Sequence, residues 1–300
     1  MSAKALRGCA LFFAATTFTA CHSDRPKAEA QGANEPAASA PATAADTSST
    51  ASPRFVHVVA TDYKLQLPNQ IPAGAVTFHL MNEGKEMHQA MIARLEDGKT
   101  MADLGKAMST EGPPPSWMRF LGGPNGIVPG ATTVETSVLT PGNYVAFCVI
   151  PGADGKPHIA KGMVQPFEVT TASGNSAALP VAEDTVRLVE YAFKTSHPIA
   201  AGKRTILVEN GGKQGHELVL LKLAPGKSAK DFAVWATTGG MKGPPPAMPM
   251  GGVGTLDQNG SATFTTELSP GEYAFMCFLP DAKDGKMHVE HGMVTQFKVS

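Results

Sequence analysis

Apolar and polar residues alternate with a period of two through much of this chain, in short bursts. Thr132–Leu139 (TTVETSVL) and Ser261–Leu268 (SATFTTEL) carry the pattern of a strand with one buried face. Ala75–Met81 (AVTFHLM) and Arg204–Asn210 (RTILVEN) are rich in β-formers and bounded by glycine turns. His88–Leu95 (HQAMIARL) and His216–Leu223 (HELVLLKL) are apolar runs of strand length. A Pro-Gly turn leads into Asn143–Val149 (NYVAFCV) and Glu272–Phe278 (EYAFMCF), and VQPFEVT and VTQFKVS close the series. Only Thr100–Ser109 and Ser228–Thr237 read as helix. Short strands at this spacing predict an all-β sandwich.

Each segment occurs twice. Without a gap, Tyr63 aligns with Tyr191, Gly74 with Gly202, Asn82 with Asn210, Gly84 with Gly212 and His88 with His216. GPPP recurs at Gly112 and Gly243, LTPGNYVAFC at Leu139 as LSPGEYAFMC at Leu268, and GMVQPFEV at Gly162 as GMVTQFKV at Gly292. The expected organisation is two β units, 54–170 and 184–300, of ordinary domain size. A small, polar linker, 171–183, joins them.

The N-terminus reads as a targeting segment. Lys4 and Arg7 precede the apolar stretch CALFFAATTFTA, which is too short to span a bilayer. It ends in small Ala20 before Cys21 and resembles a bacterial lipoprotein signal. That resemblance implies a signal peptide over 1–20 and a lipid on Cys21. It also implies a location in the cell envelope, facing the periplasm or exterior. Residues 21–53 are rich in Ala, Pro, Ser and Thr and are expected to be a flexible tether.

Composition removes some functions. A formal net charge of −1 gives no electrostatic case for nucleic acid. Thirty-one Gly, 24 Pro and 7% aromatics agree with many turns. Setting Cys9 and Cys21 aside leaves only Cys148 and Cys277. In an oxidising compartment these either bridge the two units or are kept free for another purpose.

The second possibility has a pattern behind it. Tyr144, Ala146 and Cys148 share one strand face, as do Tyr273, Phe275 and Cys277. Each cysteine ends its strand and opens a loop that returns through His158 and Met163, or through His288 and Met293. His88 and His216 begin strands after Gly-containing turns, and a sandwich can bring that point beside the returning loop. Two imidazoles, a thiolate and a thioether favour copper. Two His and a Cys in a plane with a weak axial Met describe an electron-transfer copper site.

The order His, then Cys-loop-His-loop-Met before a final strand, resembles the cupredoxins over both units. The resemblance implies two tandem cupredoxin-like Greek-key β-sandwiches, each with one short helix in a crossover. It implies one copper per domain, held by His88, Cys148, His158 and Met163, and by His216, Cys277, His288 and Met293. There are departures. The Cys–His loops are longer than those of plastocyanin and azurin. Where many cupredoxins carry Asn after the first His, this chain has Gln89 and Glu217.

Three functions compete: a tethered one-electron carrier with an unidentified redox partner protein, a copper enzyme, and a copper store, chaperone or metal-free binding module. The enzyme families place His beside the Cys to reach a catalytic copper. Here Cys148 lies between Phe147 and Val149, Cys277 between Met276 and Phe278, and no His-x-His pair occurs. The carrier is therefore the expectation, and no enzyme. His291 stands where the first unit has Lys161 and reads as a solvated loop residue. His57, His79 and His197 have no counterpart. Met241, Met248 and Met250 near Pro244 read as packing or loop residues, and the GPPP runs as stiff polyproline.

Overall fold

The computed structural model describes residues 52–96, 98–108, 114–172, 177–238 and 240–300. The expected signal peptide, Cys21 and nearly all of the expected tether lie outside them, as do Gly112 and Pro113 of the first GPPP run.

The first repeat contains β1 (Arg54–Thr61), β2 (Lys64–Gln66), β3 (Gln70–Pro72), β4 (Gly74–Asn82), β5 (Met91–Leu95), helix α1 (Met101–Met108), β6 (Met118–Phe120), β7 (Thr132–Leu139), β8 (Gly142–Phe147) and β9 (Val164–Thr170). The second contains β10 (Asp184–Val189), β11 (Ala192–Thr195), β12 (Gly202–Asn210), β13 (His216–Leu223), helix α2 (Ala229–Thr237), β14 (Ala247–Leu256), β15 (Ser261–Leu268), β16 (Gly271–Met276) and β17 (Val294–Val299).

Each repeat is a two-layer sandwich. In the first, β2-β1-β4-β7 faces β3-β9-β8-β5-β6; in the second, β11-β10-β12-β15 faces β14-β13-β16-β17. The period-two pattern decides which side chains fill the space between. Val76, Phe78 and Leu80 of β4 point inward with Val56 and Val58 of β1, and Tyr144, Ala146 and Cys148 meet them from the other layer. Val145 and Phe147 turn outward to a second cluster with Leu104 of α1. The second repeat divides identically: Tyr273, Phe275 and Cys277 lie in its core, Ala274 and Met276 under α2 with Phe232. The expected face assignments and the single crossover helix therefore hold in both halves.

The helices open alike. Ser228 and Asp231 cap α2 reciprocally, and Thr100 and Asp103 exchange the same two bonds before α1. Each repeat also ties a core tyrosine back over the preceding turn. Tyr144 Oη donates to the Thr140 carbonyl at 2.8 Å, and Tyr273 Oη to that of Ser269 at 2.9 Å.

The expectation of two units joined by a linker does not anticipate how they meet. β7 and β15 pair antiparallel, merging two four-stranded layers into one eight-stranded sheet. Glu135 lies opposite Phe264, its own counterpart in the repeat, so the seam is a local two-fold. The loop Leu121–Ile127 adds bridges to β14 at Leu256, Val253 and Met250. Within each repeat, a glycine also lets the seam segment lie close on the neighbouring strand. A Cβ on Gly123 would stand 2.2 Å from the Ala90 carbonyl oxygen, and one on Gly252 2.1 Å from that of Leu218. Both have positive φ, 90° and 117°.

Two expectations change. β5 starts at Met91 rather than His88, because His88 exchanges backbone bonds with Ile127 across a single bridge. The Met-rich segment after the second GPPP run is a strand, β14, with register shifts against β13. Its thioethers do not form one group: Met250 packs on the second core, while Met248 is exposed.

Candidate metal centres

The two cysteines directly follow β8 and β16, and backbone bonds fold the following loop onto each. Cys148 N–H donates to the Met163 carbonyl (3.2 Å), Ile159 N–H to that of Cys148 (2.7 Å), and Met163 N–H to that of His158 (3.0 Å). Cys277, Val289, Met293 and His288 repeat the set at 3.3, 2.9 and 2.9 Å. The turn His158–Lys161 stops at Gly162, whose φ is 95°; its counterpart Gly292 has φ 92°. The second loop's additional residue lies in its tip, between Pro280 and Met287. Loop length therefore differs without moving the histidine relative to the cysteine.

The first histidine is placed by an Asn-x-Gly turn. Asn82 Nδ2 donates to the carbonyls of Glu86 and Ile127, and its Oδ1 accepts from Gly84 N–H. Asn210 makes the same bonds with Gln214, Leu256 and Gly212. The glycine is required by the ring: a Cβ on Gly84 or Gly212 would stand 2.6 Å from Nε2 of His88 or His216.

Three donors converge in each repeat: His88, Cys148 and His158 in the first, His216, Cys277 and His288 in the second, with all donor atoms of a group within 4.8 Å of one another. The Nδ1 atoms of His88 and His158 are 3.1 Å apart, as are those of His216 and His288. Sγ of Cys148 is 3.5 Å from His158 Nδ1, and Sγ of Cys277 3.2 Å from His288 Nδ1. A first-row metal bonded at about 2.0–2.3 Å needs donors roughly 3.4–4 Å apart. All six side chains, and those of Met163 and Met293, are 0% exposed. Each methionine packs in the core cluster of its cysteine.

Burial sets the charge state. It pushes the Cys148 thiol up to about 12, against N–H donation from Gln89 and Ile150. Burial raises Cys277 likewise, with the Glu217 charge adding to it. Burial lowers His88 in spite of its bond to Asp62. Burial and then the His288 charge push His216 down to about 4. The neutral rings of His88 and His216 present lone pairs and the buried thiol gives up its proton to a metal, so the set suits a soft, thiophilic ion. Two imidazoles and a thiol fit copper.

The residues after the first histidine act through their backbones: the N–H groups of Gln89 and Glu217 donate toward the cysteine sulfurs. The Glu217 side chain also braces its site. Its Oε1 accepts from Phe278 N–H at 3.0 Å and its Oε2 from Asn125 Nδ2 at 3.1 Å, the latter contributed by the first repeat. Gln89 Nε2 has no partner.

Sequence reasoning missed the residues behind the imidazoles. Asp62 Oδ1 lies 3.1 Å from His88 Nε2, and Glu86 Oε2 lies 2.7 Å from His158 Nε2. Tyr63 donates to Glu86 Oε1 and packs its ring edge-on against His158. It sits in a left-handed turn (φ 65°), as does Tyr191 (φ 60°). His291 turns to Asp284 (3.1 Å) and packs on Tyr191. His57 and His79 face each other on β1 and β4 with Phe55 against both, and His197 contacts Asp184, all apart from the two donor groups.

No protein-family model and no curated protein matches the chain. Among solved structures, dithionite-reduced auracyanin from the photosynthetic bacterium Roseiflexus castenholzii is 23% identical, with 39% of this chain and 94% of that one covered and a TM-score of 0.28. Auracyanin B is 20% identical, covering 39% and 86%, at 0.27. A multicopper oxidase is 17% identical, covering 82% and 88%, at 0.24. This chain's own geometry is two β-sandwiches, each of which closes a buried His–Cys–His group.

Proposed function

We propose that each repeat binds one copper ion and that the protein passes single electrons. One observation carries the reading: the same buried triangle of two imidazoles and a thiol is built twice, each time beside a buried methionine. His88, Cys148 and His158 would hold one ion with Met163 as the weak fourth ligand, and His216, Cys277, His288 and Met293 the other. Copper supplies a one-electron couple whose thiolate bond provides a path for the electron. The protein's part is to hold the donors still and dry. Each cysteine directly follows a core strand, each late histidine is fixed by its own backbone bonds, and the first histidine is wedged against glycine. Donors that cannot rearrange impose one geometry on both oxidation states, which keeps the cost of electron exchange low.

Transfer rather than catalysis is supported by the neighbours of the two cysteines and by the absence of any His-x-His pair in the chain. The leader and Cys21 support export and a lipid anchor in a bacterial envelope, with a separate redox partner protein. No helix among the described residues is long and apolar enough to cross a membrane.

Copper titration of the protein tests the reading. The expected result is two equivalents, an intense visible thiolate-to-copper band and a reversible couple. Cys148→Ser and Cys277→Ser should each remove one equivalent. A double variant that still binds two coppers tightly refutes the ligand assignment. Cu(I) bound without a reversible couple would make the protein a store.

A further inference from the structure

The repeats share their inner donors but differ one layer out. At the first site both imidazoles have a carboxylate on the far nitrogen, Asp62 on His88 (3.1 Å) and Glu86 on His158 (2.7 Å). At the second, Nε2 of His216 and of His288 are buried with no hydrogen-bond partner. The sequence explains the difference. Glu86 aligns with Gln214, which carries no charge. Asp62 aligns with Glu190; both accept from the N–H of the aligned lysine, Lys85 or Lys213, but only Asp62 also reaches the histidine ring. Asp281 enters where the first loop has Gly152, but its Oδ2 stands 3.8 Å from His288 Nε2 and is taken by Tyr191 Oη at 2.6 Å and Gln214 Nε2 at 2.8 Å.

A carboxylate that accepts an imidazole N–H makes the ring's other nitrogen a stronger donor. The bond is charge-assisted and brings negative charge to the centre. Both effects favour a dication over a monocation. A buried ring with a bare N–H has neither. The nearby Glu217 does not restore them, because both its oxygens are taken by Phe278 N–H and Asn125.

We infer that the first site is built to favour Cu(II) and the second Cu(I), so that an electron taken up by the chain comes to rest in the second repeat; this builds on the copper reading above. Asp62 and Glu86 are positioning residues that act through His88 and His158. With copper held by both donor sets, the second ion would be the one reduced at equilibrium, with no bond made or broken. The duplicated fold thus acquires a direction.

Single-site proteins test this. Cys277→Ser retains the first site and Cys148→Ser the second. Each is titrated with copper against a Cu(I)-selective and a Cu(II)-selective chelator. The Cu(II)-to-Cu(I) affinity ratio should be at least about tenfold higher at the first site. Glu86→Gln with Asp62→Asn should lower the first-site ratio about tenfold or more, and Gln214→Glu should raise the second. A purely structural loss would weaken both oxidation states alike and leave the ratio unmoved. Equal ratios, the reverse order, or a ratio indifferent to Glu86→Gln with Asp62→Asn overturns the inference while leaving the copper reading intact. A site that binds neither oxidation state overturns the copper reading, and the inference with it.

Discussion

Glu135 makes the stability of this protein depend on pH in a direction that can be worked out from its surroundings. It is 0% exposed, at the centre of the seam between β7 and β15. Ser137 donates to its Oε1 and Gly123 N–H adds a further bond, but Oε2 has no partner. Burial dominates and raises the carboxyl from the ordinary 4.5 to about 8. Between those two values the folded chain keeps the proton and the unfolded chain has lost it. The folded state therefore binds more protons, and stability falls as pH rises from about 4.5 to about 8. The slope is at most roughly 1.4 kcal/mol per pH unit, on the order of several kcal/mol across the window. Glu135→Gln keeps the shape and an acceptor for Ser137 but cannot ionise. Urea unfolding of metal-free protein, wild type and variant, at pH 5, 6, 7 and 8 isolates this group, because every other titration cancels in the difference. The variant should gain stability over wild type steadily with pH. A difference constant across the series would refute the assignment of a neutral, buried Glu135.

Three further outcomes are expected. With its thiol near 12, Cys148 must lose a proton to a metal, so copper affinity of the first site should rise about tenfold per pH unit through the neutral range, read by chelator competition at several pH values. Gly252→Ala puts a Cβ 2.1 Å from the Leu218 carbonyl at a φ of 117° and should cost at least about 2 kcal/mol by denaturant unfolding. Asn125→Ala leaves Glu217 Oε2 buried without that donor, costs about 1–3 kcal/mol and should perturb the spectrum of the second copper more than that of the first.

Most strands were legible because a half-buried sheet writes its two faces into alternate residues. TTVETSVL and EYAFMC announce both the strand and the side that meets the core. The inner donors were legible for a different reason: cysteine, histidine and methionine recur in order at the same places in both halves, and Asn82 with Gly84 recurs before the first histidine. β14 was hidden because AMPMGGVGTL carries Pro249, Gly251, Gly252 and Gly254, residues that argue against a strand interior. It pairs despite them, through register shifts and close passage of Gly254 beside Gly122 and Gly123. The eight-stranded layer was hidden because an edge strand does not record its partner. Asp62 and Glu86 were hidden as single carboxylates in turns. The mismatch of Glu86 with Gln214 in an otherwise matching turn was the signal available for one of them.

The seam also explains why the two sites are not interchangeable. Around the local two-fold, Gly122–Gly123 and Gly251–Gly252 play matching parts, but the polar groups do not. Glu217 reaches across to Asn125, while Gln89, its counterpart, leaves Nε2 without a partner. Asn125 belongs to the loop whose Ile127 holds the His88 backbone. Glu217 in turn holds the N–H of Phe278, next to Cys277. A continuous run of backbone and hydrogen bonds therefore joins the first histidine of one centre to the cysteine end of the other, and part of the second centre's support comes from the first repeat. The strut fixes the second donor set in relation to the first.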